Sequence, residues 1–423
     1  MENMNKNRFS LANHCFLIKG AKRGAIYNLK EGDVYSIDEH AAKLLEECEA
    51  GLDIKKILED KSAEIQSVAM SYLESLAAFD LGQFLGDNGK VIKIPIMEPH
   101  PLEFIWLEVT TGCNLRCVHC YSSSSSSLLG EGRMMEADWI RVMKEAYAIG
   151  CRKLQFIGGE PFALGEQLLR LVSVCRDLGY KMIEIYTNAT LIDDSKIQFL
   201  AEKEISVAVS IYGNTSEIHE AVTKGTGSFN RTITTLKKLI ARNIPTRVGL
   251  IGMNINEDHI DETIKFLKED MGVKNVKLDL IRPSGRSYNG NLVSQKLMEK
   301  VILREPRFPK CTIETFQRAQ YGNNCFSKEI CVTASGDVFP CIMERDITLG
   351  NILDVSLAHI IQEKTVKQIR GLNKDKIEVC KDCEYRYCCF DCRPKAKKAS
   401  FNGNFFAKPS ECLYNPYSGK WGN

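Results

Sequence analysis

From residue 102 to about 283, short apolar runs alternate with amphipathic stretches. Runs rich in Val, Ile, Leu and aromatic residues predict strands over 104–109, 153–157, 181–186, 205–212, 246–253 and 276–281. Between them, residues 136–149, 165–178, 195–204, 229–242 and 257–270 repeat apolar positions at three- and four-residue intervals, which predicts helices. Six strand-plus-helix units in alternation imply an α/β fold with a parallel sheet and right-handed crossovers.

The flanking pattern differs. Residues 15–19, 25–29 and 33–37 read as strands, and Asp38 is placed to cap a helix over 39–49 that Gly51 stops. Two further amphipathic helices follow over 52–59 and 63–79. Strands followed by three helices make a winged-helix-like pattern. Residues 84–100 carry Gly and Asn turn signals and Pro95 and Pro99, with Pro101 just beyond, and read as a linker. The chain therefore divides into a winged-helix-like domain at 1–88, a linker at 89–101, a strand–helix domain at 102–290, a bridging region at 291–324 and a Cys-rich domain at 325–423.

Charge and composition narrow the function. The formal net charge is +2, so bulk electrostatics argue against nucleic acid or a membrane surface as partner. The polar N-terminus lacks a signal-peptide core and no apolar run is long enough to span a bilayer, so a cytoplasmic protein is expected. Seventeen cysteines in such a chain point to metal rather than disulfides, because reducing compartments keep thiols reduced. Nine of them fall within 325–412.

The most informative segment is Cys113-Asn-Leu-Arg-Cys117-Val-His-Cys120, a C-x3-C-x2-C spacing directly after the first strand. Three thiolates supply terminal ligands to three irons of a [4Fe–4S] cluster and leave one iron open. A zinc knuckle or three core cysteines would be the plain alternatives. A second motif, Gly158-Gly159-Glu160-Pro161, closes the second strand. In order and spacing the pair resembles the radical S-adenosylmethionine (SAM) superfamily. That resemblance implies a partial (β/α)6 radical SAM barrel with its site at the C-terminal ends of the strands. It also implies SAM chelated to the open iron and cleaved to a 5′-deoxyadenosyl radical. By the same resemblance Gly158, Gly159, Glu160, Asn188, Ser210 and Arg282 bind SAM, with Arg282 clamping the carboxylate. Asn188 as a helix cap and Arg282 in a surface ion pair are the plain alternatives. The run Ser122–127 reads as mobile and solvated, without chemistry.

The C-terminal array, Cys325-x5-Cys331-x9-Cys341, then Cys380-x2-Cys383-x5-Cys389-x2-Cys392 and Cys412, resembles the SPASM extension that holds two auxiliary [4Fe–4S] clusters. The family's pattern implies Cys325, Cys331, Cys341 and Cys392 for one cluster and Cys380, Cys383, Cys389 and Cys412 for the other. Spacing alone does not give that partition, and C-x2-C pairs are also zinc signatures. Cys388 competes with Cys389, and without Cys331 the first auxiliary cluster has an open iron. Cys15, Cys48, Cys151, Cys175 and Cys311 read as core residues.

The N-terminal pattern resembles the peptide recognition elements of enzymes that modify ribosomal peptides. There a leader peptide adds a strand to the sheet, and Lys19, Lys22 and Arg23 are placed to meet an acidic one. Together the resemblances imply a maturase with three [4Fe–4S] clusters and SAM. It would take a ribosomal precursor peptide, receive electrons from a flavodoxin or ferredoxin, and form links, foremost thioethers from cysteine sulfur to carbon. Carbon–carbon linking and epimerisation stay open. An anaerobic sulfatase (formylglycine) maturase is disfavoured, since that family's proposed base falls at Ile342 here. A DNA-binding iron–sulfur sensor would leave the Gly-Gly-Glu-Pro motif without purpose. No catalytic base is assigned; Asp337, Glu344 and Asp346 lie near the auxiliary cysteines.

Overall fold

In a computed structural model, residues 7–86, 89–97, 102–323 and 325–422 are described. Pro99 and Pro101 of the expected linker lie outside them. The chain forms two compact units. One comprises Met1–Pro99, Ile302–Asn324 and Gly371–Asn423; the other comprises His100–Val301 and Cys325–Arg370. Among the described residues no helix is long and apolar enough to cross a membrane.

The first unit begins with β1 (Arg8–Leu11), β2 (Cys15–Lys19), β3 (Gly24–Asn28) and β4 (Asp33–Ile37), followed by α1 (Glu39–Glu49), α2 (Ile54–Leu58), α3 (Ala63–Ala78) and β5 (Gly82–Leu85). β2, β3 and β4 form an antiparallel meander, and β1 pairs antiparallel with β5. The sequence pattern missed β1 and β5 because each is four residues long and one lies in a polar stretch. Asp38 caps α1 by accepting a hydrogen bond from the Ala41 amide at 2.8 Å. The helix then turns Leu44, Leu45 and Cys48 onto Phe9, Leu11 and Ile26. The other sheet face is also covered. Ile18, Tyr27 and Leu29 pack with Phe316, Tyr385, Tyr387 and Tyr414, so the N-terminal sheet shares a core with the Cys-rich C-terminus.

The second unit is built on one nine-stranded sheet. Its parallel part runs through β6 (Phe104–Thr110), β7 (Lys153–Gly158), β8 (Met182–Thr187), β9 (Ser206–Ser210), β10 (Thr246–Gly252) and β11 (Asn275–Leu280), each beside the next. The helices α4 (Glu136–Ala148), α5 (Glu166–Leu178), α6 (Asp194–Glu202), α7 (Ser216–Thr223), α8 (Ser228–Ala241) and α9 (Ile260–Lys265) lie between them in sequence. Side chains alternate across the strands. Leu107, Leu154, Phe156, Ile183, Ile185, Val207 and Val209 join the helix-covered core, while Trp106, Gln155, Glu184 and Tyr186 line the interior. α7 lay outside the expected helices. The segment after residue 325 also belongs here: β12 (Glu329–Thr333) pairs parallel with β6, and β13 (Asp337–Phe339) and β14 (Gly350–Asn351) continue antiparallel.

β11 ends the parallel part of the sheet, as β14 ends the antiparallel part, and Leu278 on β11 is 39% exposed. Leu107→Ala at the fully buried centre of the sheet should cost ~2–5 kcal/mol. Leu278→Ala should cost under about 1 kcal/mol. Denaturant midpoints of the two variants check this; equal losses would mean that the outer face of β11 is covered.

Candidate active site

The three motif cysteines leave the end of β6 on a loop that is fastened from several sides. The Cys113 amide donates to the Ser125 carbonyl at 3.0 Å. The Arg116 and Val118 amides donate to the carbonyls of Thr223 and Val222 at 3.2 and 2.9 Å, so the end of α7 holds the loop's middle. Arg286 holds its far side: Nε donates to the Cys117 carbonyl at 2.7 Å and Nη1 to the Ser124 carbonyl at 2.9 Å. Gly285, at φ +53°, lets this segment approach; a Cβ there would lie 2.2 Å from the Cys120 carbonyl oxygen.

Part of the serine run joins this fastening, where the whole run was expected to be mobile and solvated; Ser123, Ser126 and Ser127 are exposed. Ser124 is 1% exposed, and its amide donates to Cys120 Sγ at 3.4 Å. Ser122 Oγ also lies 3.4 Å from that sulfur. Short hydroxyl side chains are compact enough to turn the chain back around a sulfur and to supply the donors it accepts.

The Gly-Gly-Glu-Pro turn packs against the same loop. A Cβ at Gly159 would stand 2.0 Å from the Gly112 carbonyl oxygen, so backbone meets backbone there. The Glu160 carboxylate does not line the interior cavity. It is 0% exposed and ties two strand ends together. Oε1 accepts from the Phe162 amide at 3.1 Å and the Thr187 hydroxyl at 2.7 Å, and Oε2 accepts from the Asn188 amide at 2.8 Å. Burial pushes its pKa up to about 7 against the pull of these donors. Asn188, so placed, donates from Nδ2 to Asn114 Oδ1 at 2.9 Å and lies 3.9 Å from Cys113 Sγ.

Cys113, Cys117, Cys120, Gly158, Gly159, Asn188, Ser210 and Arg282 all line one cavity of about 590 Å³ inside the barrel. Ser210 lies beside Tyr186 and Tyr212 on this wall. Arg282 is a third exposed and lies 3.9 Å from Asp279. Burial pushes the Cys113 thiol up to about 12 and Cys117 higher, so neither is a free thiolate by itself; metal coordination displaces such protons. The wall also contains three buried polar atoms without a hydrogen-bond partner among the described residues: His119 Nδ1, the Tyr121 hydroxyl and Arg286 Nη2. Burial holds His119 down at about 4, hence neutral, and its ring meets Tyr212 edge-on at 4.8 Å. Three thiols on one cavity wall with unspent polar groups beside them fit a thiolate-held cluster and a polar cosubstrate.

Sequence reasoning singled out Arg282 and passed over Arg286, four residues on, because nothing local marks which guanidinium turns toward the loop. It also missed the ion pair of buried Glu108 with part-buried Arg345, which lies 5.6 Å from the Tyr121 ring centre.

The C-terminal cysteines separate. Cys380, Cys383, Cys389 and Cys412 line one cavity. Cys388 turns away into the core, 3.6 Å from the Tyr27 hydroxyl. Cys331 is buried on β12 beside Glu108. The Cys341 sulfur accepts from the Met343 amide at 3.4 Å. The Cys325 carbonyl accepts from the Glu329 amide at 3.0 Å. Cys325, Cys331 and Cys341 belong to the barrel unit and Cys392 to the other. Cys15, Cys48, Cys151, Cys175 and Cys311 are buried. Among the described residues no three Cys, His, Asp or Glu side chains converge on a single-ion site.

Glu160→Gln replaces one accepting oxygen by an N–H2 that must face a donor, and should cost ~1–3 kcal/mol. Because the folded pKa of about 7 exceeds the free value of 4.5, this group's contribution is complete below about 4.5 and lost as pH rises through 7. The variant should lack that slope in stability measured across the window; an unchanged slope would place its origin elsewhere.

Comparison with known proteins agrees with this geometry. Residues 107–267 match the radical SAM superfamily model and residues 324–384 the SPASM iron–sulfur cluster-binding domain. The chain is 26% identical to the AdoMet-dependent heme synthase of Methanosarcina barkeri over 341 residues, covering 73% of this chain and 95% of that one. It is 27% identical to the sporulation killing factor maturation protein SkfB of Bacillus subtilis over 278 residues, covering 62% and 66%. The crystal structure of Streptococcus suis SuiB superposes with a TM-score of 0.57 at 16% identity, covering 96% of this chain and all of that one, a likeness of fold. The chain therefore carries a radical SAM domain followed by a SPASM iron–sulfur cluster-binding domain.

Proposed function

We propose that this protein is a peptide maturase that links cysteine sulfur to carbon in a ribosomally made precursor peptide. The observation that carries the reading is the single cavity of about 590 Å³ shared by Cys113, Cys117, Cys120 and the SAM-contact candidates. That space exceeds what three core cysteines need. Cys113, Cys117 and Cys120 would hold the cluster, and Asn188, Ser210 and Arg282 would meet SAM. Together the bound groups supply a carbon radical able to abstract hydrogen from an unactivated C–H bond.

The chain's own residues then have distinct tasks. Arg286 and the serine run hold the cysteine loop, and Glu160 holds Asn188 beside Cys113. Tyr186, Tyr212 and Trp106 wall the interior and leave a pocket for a side chain of the peptide. Closing a thioether removes one hydrogen from carbon and one from sulfur, a two-electron oxidation, so an electron acceptor nearby is required. The Cys380, Cys383, Cys389 and Cys412 set is the candidate acceptor site, with Cys389 rather than Cys388 as ligand. Peptide as substrate class draws on the names of relatives: SkfB is a maturation protein for a killing factor, and SuiB has a structure bound to the precursor peptide SuiA. A sulfatase-type maturase is disfavoured because Ile342 and Met343, not a carboxylate, occupy the cavity wall at that place.

Each basic residue expected to meet an acidic leader has a partner nearby, the two lysines in half-exposed ion pairs and Arg23 through Nε, which donates to Ser36 Oγ at 2.9 Å. Lys19 lies 2.6 Å from Glu46 and Lys22 lies 2.7 Å from Glu39. Leader binding should therefore depend on backbone pairing at the meander edge more than on these charges.

Anaerobic incubation of reconstituted protein with SAM, a reductant and a cysteine-containing precursor peptide, should one be encoded beside it, followed by mass spectrometry, tests the reading. A loss of about two mass units per link with one free thiol consumed is expected. Full conversion without mass loss would overturn linking in favour of epimerisation.

A further inference from the structure

The cavity lined by Cys380, Cys383, Cys389 and Cys412 carries a charge that its thiols leave unexplained. Lys374 lines it beside them, although Lys374 is only 7% exposed. Its ammonium lies 2.9 Å from Asp391 Oδ1. The other Asp391 oxygen pairs with Arg393 Nη2, and the two side chains are 2% and 1% exposed. One buried carboxylate thus serves two buried cations, leaving one positive charge over.

Among the described residues the hydrogen-bond partners of these three side chains do not cancel it, and the carboxylates of Glu384 and Glu411, which act on Cys383 and on Cys389 and Arg393, stand outside the triad. Arg393 Nη1 donates to the Phe405 and Ala407 carbonyls at 3.1 and 2.9 Å, and Asn323 Nδ2 approaches Asp391 Oδ1 at 3.5 Å, all neutral contacts. Glu411, near these cysteines, pairs with Lys395 at 3.4 Å. Arg386 and Lys408 add further cations to the cavity wall, and no carboxylate lines it among the described residues. Arg386 pairs with Asp375 at 2.8 Å, and Lys408 donates to the Tyr414 carbonyl at 2.6 Å. A buried charge is tolerated only when balanced. An anion in the cavity supplies the balance, and four thiolates around an iron–sulfur core are such an anion.

We propose that Lys374, Asp391 and Arg393 form a charge-setting triad for an iron–sulfur cluster held by Cys380, Cys383, Cys389 and Cys412, and that Lys374 sets that cluster's reduction potential. The inference rests on the reading that these cysteines hold a cluster. A fixed cation against the cluster favours the reduced, more negative state, so it raises the potential. That is useful to a group that must accept an electron from a peptide radical. Lys374 and Asp391 act through the cluster and are positioning residues.

The test is an EPR-monitored redox titration of the full chain carrying Cys113→Ala, Cys117→Ala and Cys120→Ala, which removes the signal of the SAM-binding cluster. Lys374→Met should lower one auxiliary potential by at least a tenfold change in the reduction equilibrium, about 59 mV for one electron. Lys374→Arg should restore it. Asp391→Asn should move the same potential the opposite way, a pairing of signs that general damage to the fold does not produce. Iron per chain should stay constant in Lys374→Arg and Asp391→Asn. Should Lys374→Met fail to hold iron, the sign of the Asp391→Asn shift still decides. Intact clusters with unmoved potentials, or shifts of one sign in both variants, would overturn the charge role alone. Zinc in place of iron at these cysteines in the unsubstituted protein would overturn the cluster reading and the proposal with it.

Discussion

The site depends on backbone packed against backbone at the mouth of the barrel. Gly159 sits where any side chain would collide with the Gly112 carbonyl, and Gly285 sits likewise against Cys120. These two approaches press the cysteine loop between the end of β7 and the segment after β11. Glu160 then converts the position of one strand end into that of the next, because its carboxylate joins the Gly-Gly-Glu-Pro turn to Thr187 and Asn188. Three thiols, an amide and a guanidinium are thereby held on elements whose own order comes from the sheet.

The stability of the sheet and the character of the rim are opposed. Below the rim the barrel strands bury a continuous apolar core. At the rim, His119 Nδ1, the Tyr121 hydroxyl and Arg286 Nη2 are buried without partners among the described residues. Unpartnered buried polar groups are rare in settled cores and cost roughly 1–3 kcal/mol each. Set beside three thiols on one cavity wall, they fit a surface shaped for a polar occupant, with the apolar core below offsetting the cost.

The fold was legible where periodicity is strong. The six barrel strands and most of their helices stand within a few residues of their expected places, and the spacing of Cys113, Cys117 and Cys120 marked the mouth. What escaped was set by tertiary contact. β12 gives no signal of joining β6, because parallel pairing across more than two hundred residues leaves no local trace. The serine run looked solvated because composition does not reveal that Ser124 closes on Cys120. Cys388 and Cys389 are equivalent as letters; only the packing of Cys388 near Tyr27 distinguishes them. The charge on the wall of the four-cysteine cavity was equally hidden, since Lys374, Asp391 and Arg393 show neither motif nor spacing.

The proposed function requires SAM to be bound and cleaved at the three motif cysteines in the mouth of the barrel. The direct test is 5′-deoxyadenosine formed from SAM by the anaerobically reconstituted chain with a reductant, compared with Cys117→Ala. Product is expected from the parent protein and none from the variant, whose iron content should fall by about one cluster's worth. Equal product from both, or none from a parent protein that holds its full complement of iron, would contradict it.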